Sequence, residues 1–248
     1  MVTNLAFFFE TSRQVRGGKH VWVKDSNGEA RGNVLLGGTI KNPNKGFGKL
    51  YAAQLLQYTP GQGCYIFRSF ALKANAAADA TEYYINGDGY SDAPEVGMVV
   101  MVAPDALKVQ TITTTIDDSG THPTATTSIT EADYTGQSAK ITAVVYDKAN
   151  EKFKITLDNT LGELAAGTIL VEATGTAKSA SAKPLVTNPN IFVEADEELL
   201  PTEGYGFENA NYSISGVYNK QAWIARMQPL PQYVLAKNKS NIDGIFWI

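Results

Sequence analysis

Apolar residues along this chain come in short runs rather than at helical spacing. Tyr65–Leu72, Met98–Ala103, Leu107–Ile116, Ala139–Tyr146, Lys152–Leu157 and Thr168–Glu172 are rich in β-branched or aromatic residues and bounded by turn formers. That pattern predicts strands. Within Lys152–Leu157, Phe153, Ile155 and Leu157 alternate with Lys152, Lys154 and Thr156, so one face is expected to be buried and the other wet. The polar connection Asp147-Lys148-Ala149-Asn150-Glu151 has hairpin length. A second hairpin is predicted over Val21–Leu36, turning at Ser26-Asn27-Gly28, because Asn-Gly supplies the positive φ angles of a type I′ turn. Helical spacing is confined to Gly48–Gln57, through Leu50, Ala53 and Leu56, and to one turn before Gly167. The expected fold class is mainly β. It combines a β-sandwich or barrel-like central domain with an extended N-terminal arm and a small β-rich C-terminal module.

Two low-complexity stretches interrupt the strands. Thr111–Thr130 holds nine threonines and two serines around Asp117-Asp118-Ser119-Gly120, and reads as a long hairpin with an exposed tip. Thr174–Asn190 is rich in small residues with two prolines and reads as a linker. The domain organisation that follows is an arm over 1–58, a central β domain over 59–176, and a linker with an aromatic C-terminal module over 177–248. Gly97–Lys108 and Gly167–Lys178 share a Gly-led apolar run, then Ala and Lys, but only three of twelve positions are identical. Two ordinary strands that each begin after a glycine turn account for the likeness.

Composition sharpens this picture. The 248 residues are 44% hydrophobic and 19% charged, enough apolar material for a sizeable core. The net charge of −4 is uneven: residues 1–58 carry eight Lys or Arg against three acidic residues, a local balance of +5. A basic, glycine-rich end on an acidic body suggests two different surroundings. No apolar run is long enough to span a membrane. Leu5–Phe9 has neither a preceding basic residue nor a small-residue cleavage site, so it is not expected to be a secretory signal.

Catalytic chemistry finds little support. One cysteine, Cys64, excludes an internal disulfide, and its neighbours Tyr65-Ile66-Phe67 suggest a buried free thiol. The two histidines, His20 and His122, lie in the basic arm and in the threonine-rich stretch, and no nucleophile signature accompanies them. Glu194, Asp196, Glu197 and Glu198 read as a solvated strand end rather than a hydrolytic pair. Asn86–Asp92 resembles the start of a calcium loop but lacks the distal bidentate glutamate, so a polar turn is expected there. No cofactor, metal or catalytic set is expected. The pI near 5.3 argues against nucleic acid as a partner of the body.

Three segments carry a resemblance: Tyr65–Ala80, Pro94–Ala103 and Ala139–Ala173, the last containing Leu161-Gly162-Glu163-Leu164-Ala165-Ala166-Gly167. Together they span about a quarter of the chain. With the basic arm and aromatic end, the sequence resembles tailed-phage virion structural proteins, nearest to the head-fibre and capsid-auxiliary (decoration) proteins of phages of gut Bacteroides-type hosts. In such proteins a strand pair leads into the Leu-Gly-x-Leu-Ala-Ala-Gly turn and then an outward-alternating strand. The resemblance implies a non-enzymatic, multimeric protein on the capsid exterior, with the major capsid protein as partner. A host-glycan adhesion module and a tail or baseplate component are the alternatives.

For this reading the expected partner-binding residues are Phe7, Phe8, Phe9, Arg13, Arg16, Lys19, Trp22, Lys24 and Arg31 in the arm, and Phe246 and Trp247 at the other end. Exposed ion pairs contribute at most about 1 kcal/mol each. Burying an aromatic contributes roughly 1.5–3 kcal/mol, so the aromatics would dominate. Gly244-Ile245-Phe246-Trp247-Ile248 is expected either to form the last core strand or to pack between subunits.

Overall fold

The computed structural model describes residues 22–23, 31–43, 49–50, 54–59, 63–86, 93–120, 122, 124–176, 178–193, 197–198, 206–218, 229–238 and 245–247. In chain order the elements are β1 (Trp22–Val23), β2 (Arg31–Thr39), β3 (Lys49–Leu50), β4 (Leu55–Thr59), β5 (Gly63–Ile66), β6 (Ser69–Ala71), β7 (Glu82–Asn86), β8 (Val99–Val102) and β9 (Lys108–Asp117). They continue with β10 (Thr124–Asp133), β11 (Ser138–Asp147), β12 (Lys152–Leu157), β13 (Ile169–Glu172), β14 (Ile191–Val193), β15 (Glu197–Glu198), β16 (Gly206–Tyr218), α1 (Gln232–Asn238) and β17 (Ile245–Trp247). The protein is mainly β, as the patterning predicts.

Six strands form one antiparallel sheet in the order β6-β13-β8-β11-β12-β7. Its two edges meet: Leu72 bridges Ile85, and the Lys73 N–H donates to the Tyr84 carbonyl at 2.8 Å. The sheet is thereby a small closed barrel, which removes both exposed edges. Its interior is filled by Phe70, Leu72, Tyr83, Ile85, Met98, Val100, Ile141, Ile155, Leu157 and Leu170, all buried. Leu161 and Leu164, from the turn between β12 and β13, pack against that core. Tyr83 fixes the turn by accepting from the Leu161 N–H (3.0 Å) and donating to the Ala80 carbonyl (2.8 Å).

The strands β8 and β13 lie side by side and are buried on both faces. Val100 and Leu170 point into the barrel, while Met101 and Val171 join a second core outside it. This is why MVVMVA and TILVE read as continuous apolar runs. Each follows a glycine of positive φ, Gly97 (95°) and Gly167 (87°), which accounts for the echo between the two segments. The resemblance implies an outward-alternating strand after the Leu-Gly-x-Leu-Ala-Ala-Gly turn. Here β13 has no outward face, because the second core covers it.

A seven-stranded sheet draws on both ends of the chain. Its path runs β1-β16-β14-β4-β5, with β2 and β17 also paired to β16. Ile40, just past β2, bridges Cys64 of β5, and the Lys41 N–H donates to the Cys64 carbonyl at 2.8 Å. Residues 31–41 are thus built into the same sheet as β16, and a boundary at residue 58 falls inside β4. Among the described residues of the predicted Val21–Leu36 hairpin, the two arms show no ladder to each other. β1 and β2 each pair with β16, whose length offers both a ladder, and the turn residues 26–28 lie outside the described set.

The helical spacing over Gly48–Gln57 is also overridden. Lys49–Leu50 pairs with Glu197–Glu198, and Leu55–Thr59 is a strand between β5 and β14. Leu55 and Leu56 are adjacent and both buried, which a strand between two packed layers permits and a one-sided helix does not. Within the predicted linker, residues 182–190 are packed chain. Ala182, Pro184 and Val186 are buried, Ala182 bridges Gly136, and Pro184 bridges Ala173. Small side chains allow that close approach, so the composition of a linker here serves packing. Leu230, Tyr233 and Val234 of the α1 region complete the second core, with the Tyr233 hydroxyl donating to the Val186 carbonyl at 3.0 Å.

Candidate interaction surface

The strands β9 and β10 form a two-stranded sheet of their own, in register from Lys108↔Asp133 to Asp117↔Thr124. Every residue of both strands is exposed. At about 3.4 Å per residue, ten residues make a ribbon about 34 Å long. The threonines that produce it fit because β-branched side chains favour extended backbone and pair across strands. Thr114 and Thr127 meet hydroxyl to hydroxyl at 3.2 Å, and the Gln110 amide donates to Glu131 at 3.4 Å.

Alternation gives the ribbon two unlike faces. One carries Ile112, Ile116 and Ile129, at 66%, 66% and 64% exposure, with Thr114, Ala125 and Thr127 between them. The other carries Thr111, Thr113, Thr115, Thr126, Ser128 and Thr130. At the base, the Asp133 carboxylate takes Lys108 (2.6 Å) and Lys183 (2.8 Å). Hydrogen bonds from these two ammonium groups, aided by their charge, hold the Asp133 carboxyl down at about 2. At the tip, the Ser119 hydroxyl (2.6 Å) and N–H (3.0 Å) both donate to Asp117, which lowers that carboxyl as well. His122 is exposed there.

The second feature is the end of β16. Trp22 registers with Tyr218, Trp247 registers with the same Tyr218 on another strand, and Phe246 registers with Val217. Arg31 registers with Ser215, a few residues along. Four of the expected partner-binding residues, from opposite ends of the sequence, therefore share one end of one strand. The C-terminal segment is a strand of this sheet, parallel to β16. Phe7, Phe8, Phe9, Arg13, Arg16, Lys19 and Lys24 lie outside the described residues.

Cys64 is fully buried, and burial pushes its thiol up to about 12, so it is no nucleophile. Glu197 and Glu198 lie opposite Leu50 and Lys49 in a two-stranded pairing, and Glu194 and Asp196 are outside the described set, as is most of the 86–92 loop. Among the described residues no group of three His, Cys, Asp or Glu is placed to hold a metal ion.

Sequence reasoning did not single out the buried charged cluster that joins the two sheets. Arg68 is buried and reaches Glu95 at 3.5 Å, Glu172 at 3.8 Å and the Ala93 carbonyl at 2.8 Å. A lone arginine inside the apolar run YIFRSFAL was its signal, since buried charges are kept by partners. Compared with protein-family models, curated proteins and solved structures, the chain matches none.

Proposed function

We propose that this chain is a non-enzymatic structural protein of a tailed-phage virion, an auxiliary subunit on the capsid exterior that binds the major capsid protein. The observation that carries the reading is the projecting ribbon over 108–133: the chain commits two ten-residue strands to an element whose every strand residue is exposed. An isolated two-stranded ribbon is marginal in water, so such an element has its use in an assembly. The aromatic and basic residues at the end of β16, with the basic segment that precedes β1, supply the surface for the shell. Repetition of a weak contact over a lattice gives avidity that no single contact has.

The test is incorporation into particles. Removing residues 1–21 takes away Phe7, Phe8, Phe9, Arg13, Arg16 and Lys19 but leaves every described strand. The truncated protein is expected to fold and to fail to sediment with capsids, whereas the full chain sediments with them. Equal sedimentation of both would remove the arm from the account, and failure of the full chain to bind would remove the capsid. A cut at residue 58 cannot make this test, because it deletes β2 and divides β4.

A further inference from the structure

We propose that Lys183 latches the β9–β10 ribbon to the body through Asp133, and that this tie sets the direction in which the ribbon projects. The proposal does not depend on the capsid reading.

The ribbon is continued into the body by Leu107 and Tyr134. Both pack against the second core, and the Tyr134 N–H donates to the Leu107 carbonyl at 2.8 Å. These two residues fix where the ribbon leaves the body. They leave its angle free, because every residue of β9 and β10 is exposed and a two-stranded ribbon held at one end can swing about its base. Among the described residues, the side-chain hydrogen bonds and ion pairs of the ribbon stay inside it except at Asp133. There the Lys183 ammonium donates to Oδ2 at 2.8 Å, while Lys108, across the ribbon, takes Oδ1 at 2.6 Å.

The body end of the tie is built in. The Thr174 N–H donates to the Lys183 carbonyl at 2.8 Å, and the Lys183 N–H donates to the Thr174 hydroxyl at 3.3 Å. On either side of Lys183, Ala182 bridges Gly136 and Pro184 bridges Ala173, and both Ala182 and Ala173 are buried. The lysine thus reaches out from backbone clamped on both sides, three residues along from the point where the chain leaves Asp133 for Gly136.

An exposed ion pair adds little to stability. Its leverage here is geometric. With a ribbon about 34 Å long, a swing of about 20° at the base carries the tip about 12 Å. A contact too weak to matter for folding therefore decides where the tip lies.

Double electron–electron resonance on the full chain tests this, with nitroxides at D118C on the ribbon tip and E163C in the turn between β12 and β13. Both positions are exposed, and Cys64 is fully buried and takes no label. The parent is expected to give one narrow distance distribution. K183M is expected to broaden it at least about twofold with an unchanged melting temperature, because the pair is exposed. K183R, whose guanidinium can hold the same carboxylate, should restore the narrow distribution. K108M removes a pair internal to the ribbon and should leave it narrow. A broad distribution in the parent, or an unchanged one in K183M, would overturn the proposal. Equal broadening by K108M would overturn it too, since charge at the base rather than a tie to the body would then set the angle.

Discussion

The side-chain amide of Asn42 donates a 2.7 Å hydrogen bond to Glu172, 130 residues away along the chain. The same amide donates to the Ile66 carbonyl (2.9 Å) and its oxygen accepts from the Ile66 N–H (2.6 Å). Asn42 follows β2, Ile66 ends β5 and Glu172 ends β13, so one buried side chain ties the seven-stranded sheet to the barrel. Glu172 in turn faces Arg68. The junction between the two sheets is therefore polar, flanked by the apolar core of Leu55, Phe67 and Val171.

Replacing Asn42 with Ala is expected to lower stability by about 2–4 kcal/mol, because the buried Ile66 N–H and the Glu172 carboxylate lose this partner together. Urea unfolding of N42A measures it. A loss below about 0.5 kcal/mol would show that water replaces the amide and that the tie is not structural.

Barrel and ribbon should respond unequally to truncation. Leu170→Ala removes a fully buried side chain, and Leu→Ala in a core costs about 2–5 kcal/mol. Ile112→Ala removes a side chain that is 66% exposed, and in dilute protein its cost should stay near 0.5 kcal/mol or less. Paired thermal melts of the two variants make the comparison.

Gly167 sits at φ 87° with no heavy atom within 4 Å of an added Cβ. Its role is conformational, so Gly167→Ala is expected to cost about 1 kcal/mol from left-handed strain alone. Denaturant midpoints would reveal it. A neutral or stabilising effect would mean the turn can reach β13 by another backbone path.

Asp133 gives a pH prediction with a definite sign. Its carboxyl is held at about 2 by Lys108 and Lys183 in the folded protein, below the ordinary value near 3.9. The pairing therefore favours the folded base of the ribbon above about pH 4, and that contribution fades as pH falls toward about 2. Carboxyl chemical shifts followed through an acid titration should show Asp133 titrating late, and K108M/K183M should return it to the ordinary range. Both lysines are exposed, so added salt should weaken the effect.

Much of the fold was legible in the residues, and the reasons are physical. Lys152–Leu157 was placed to the residue because its alternation reports one buried face directly. β8 and β13 were visible as apolar runs led by glycines, though burial on both faces appeared only with the second core. The closure of the barrel through Leu72 and Ile85 leaves no local mark, being one bridge between distant positions. Pairing of β2 with β16 spans most of the chain for the same reason, and a glycine-rich, basic composition hides it. Gly48–Gln57 misled because Leu50 and Leu56, in two separate short strands, fall near helical spacing. The ribbon was legible as a hairpin, but its isoleucine face was not, since exposure depends on what the rest of the chain fails to cover.

Electron microscopy of purified tailed-phage particles that contain this polypeptide tests the central claim most directly. The account predicts density on the outer surface of the shell, in contact with the major capsid protein, that accepts the closed barrel and shows a ribbon about 34 Å long standing clear of it. Density confined to the tail would contradict it.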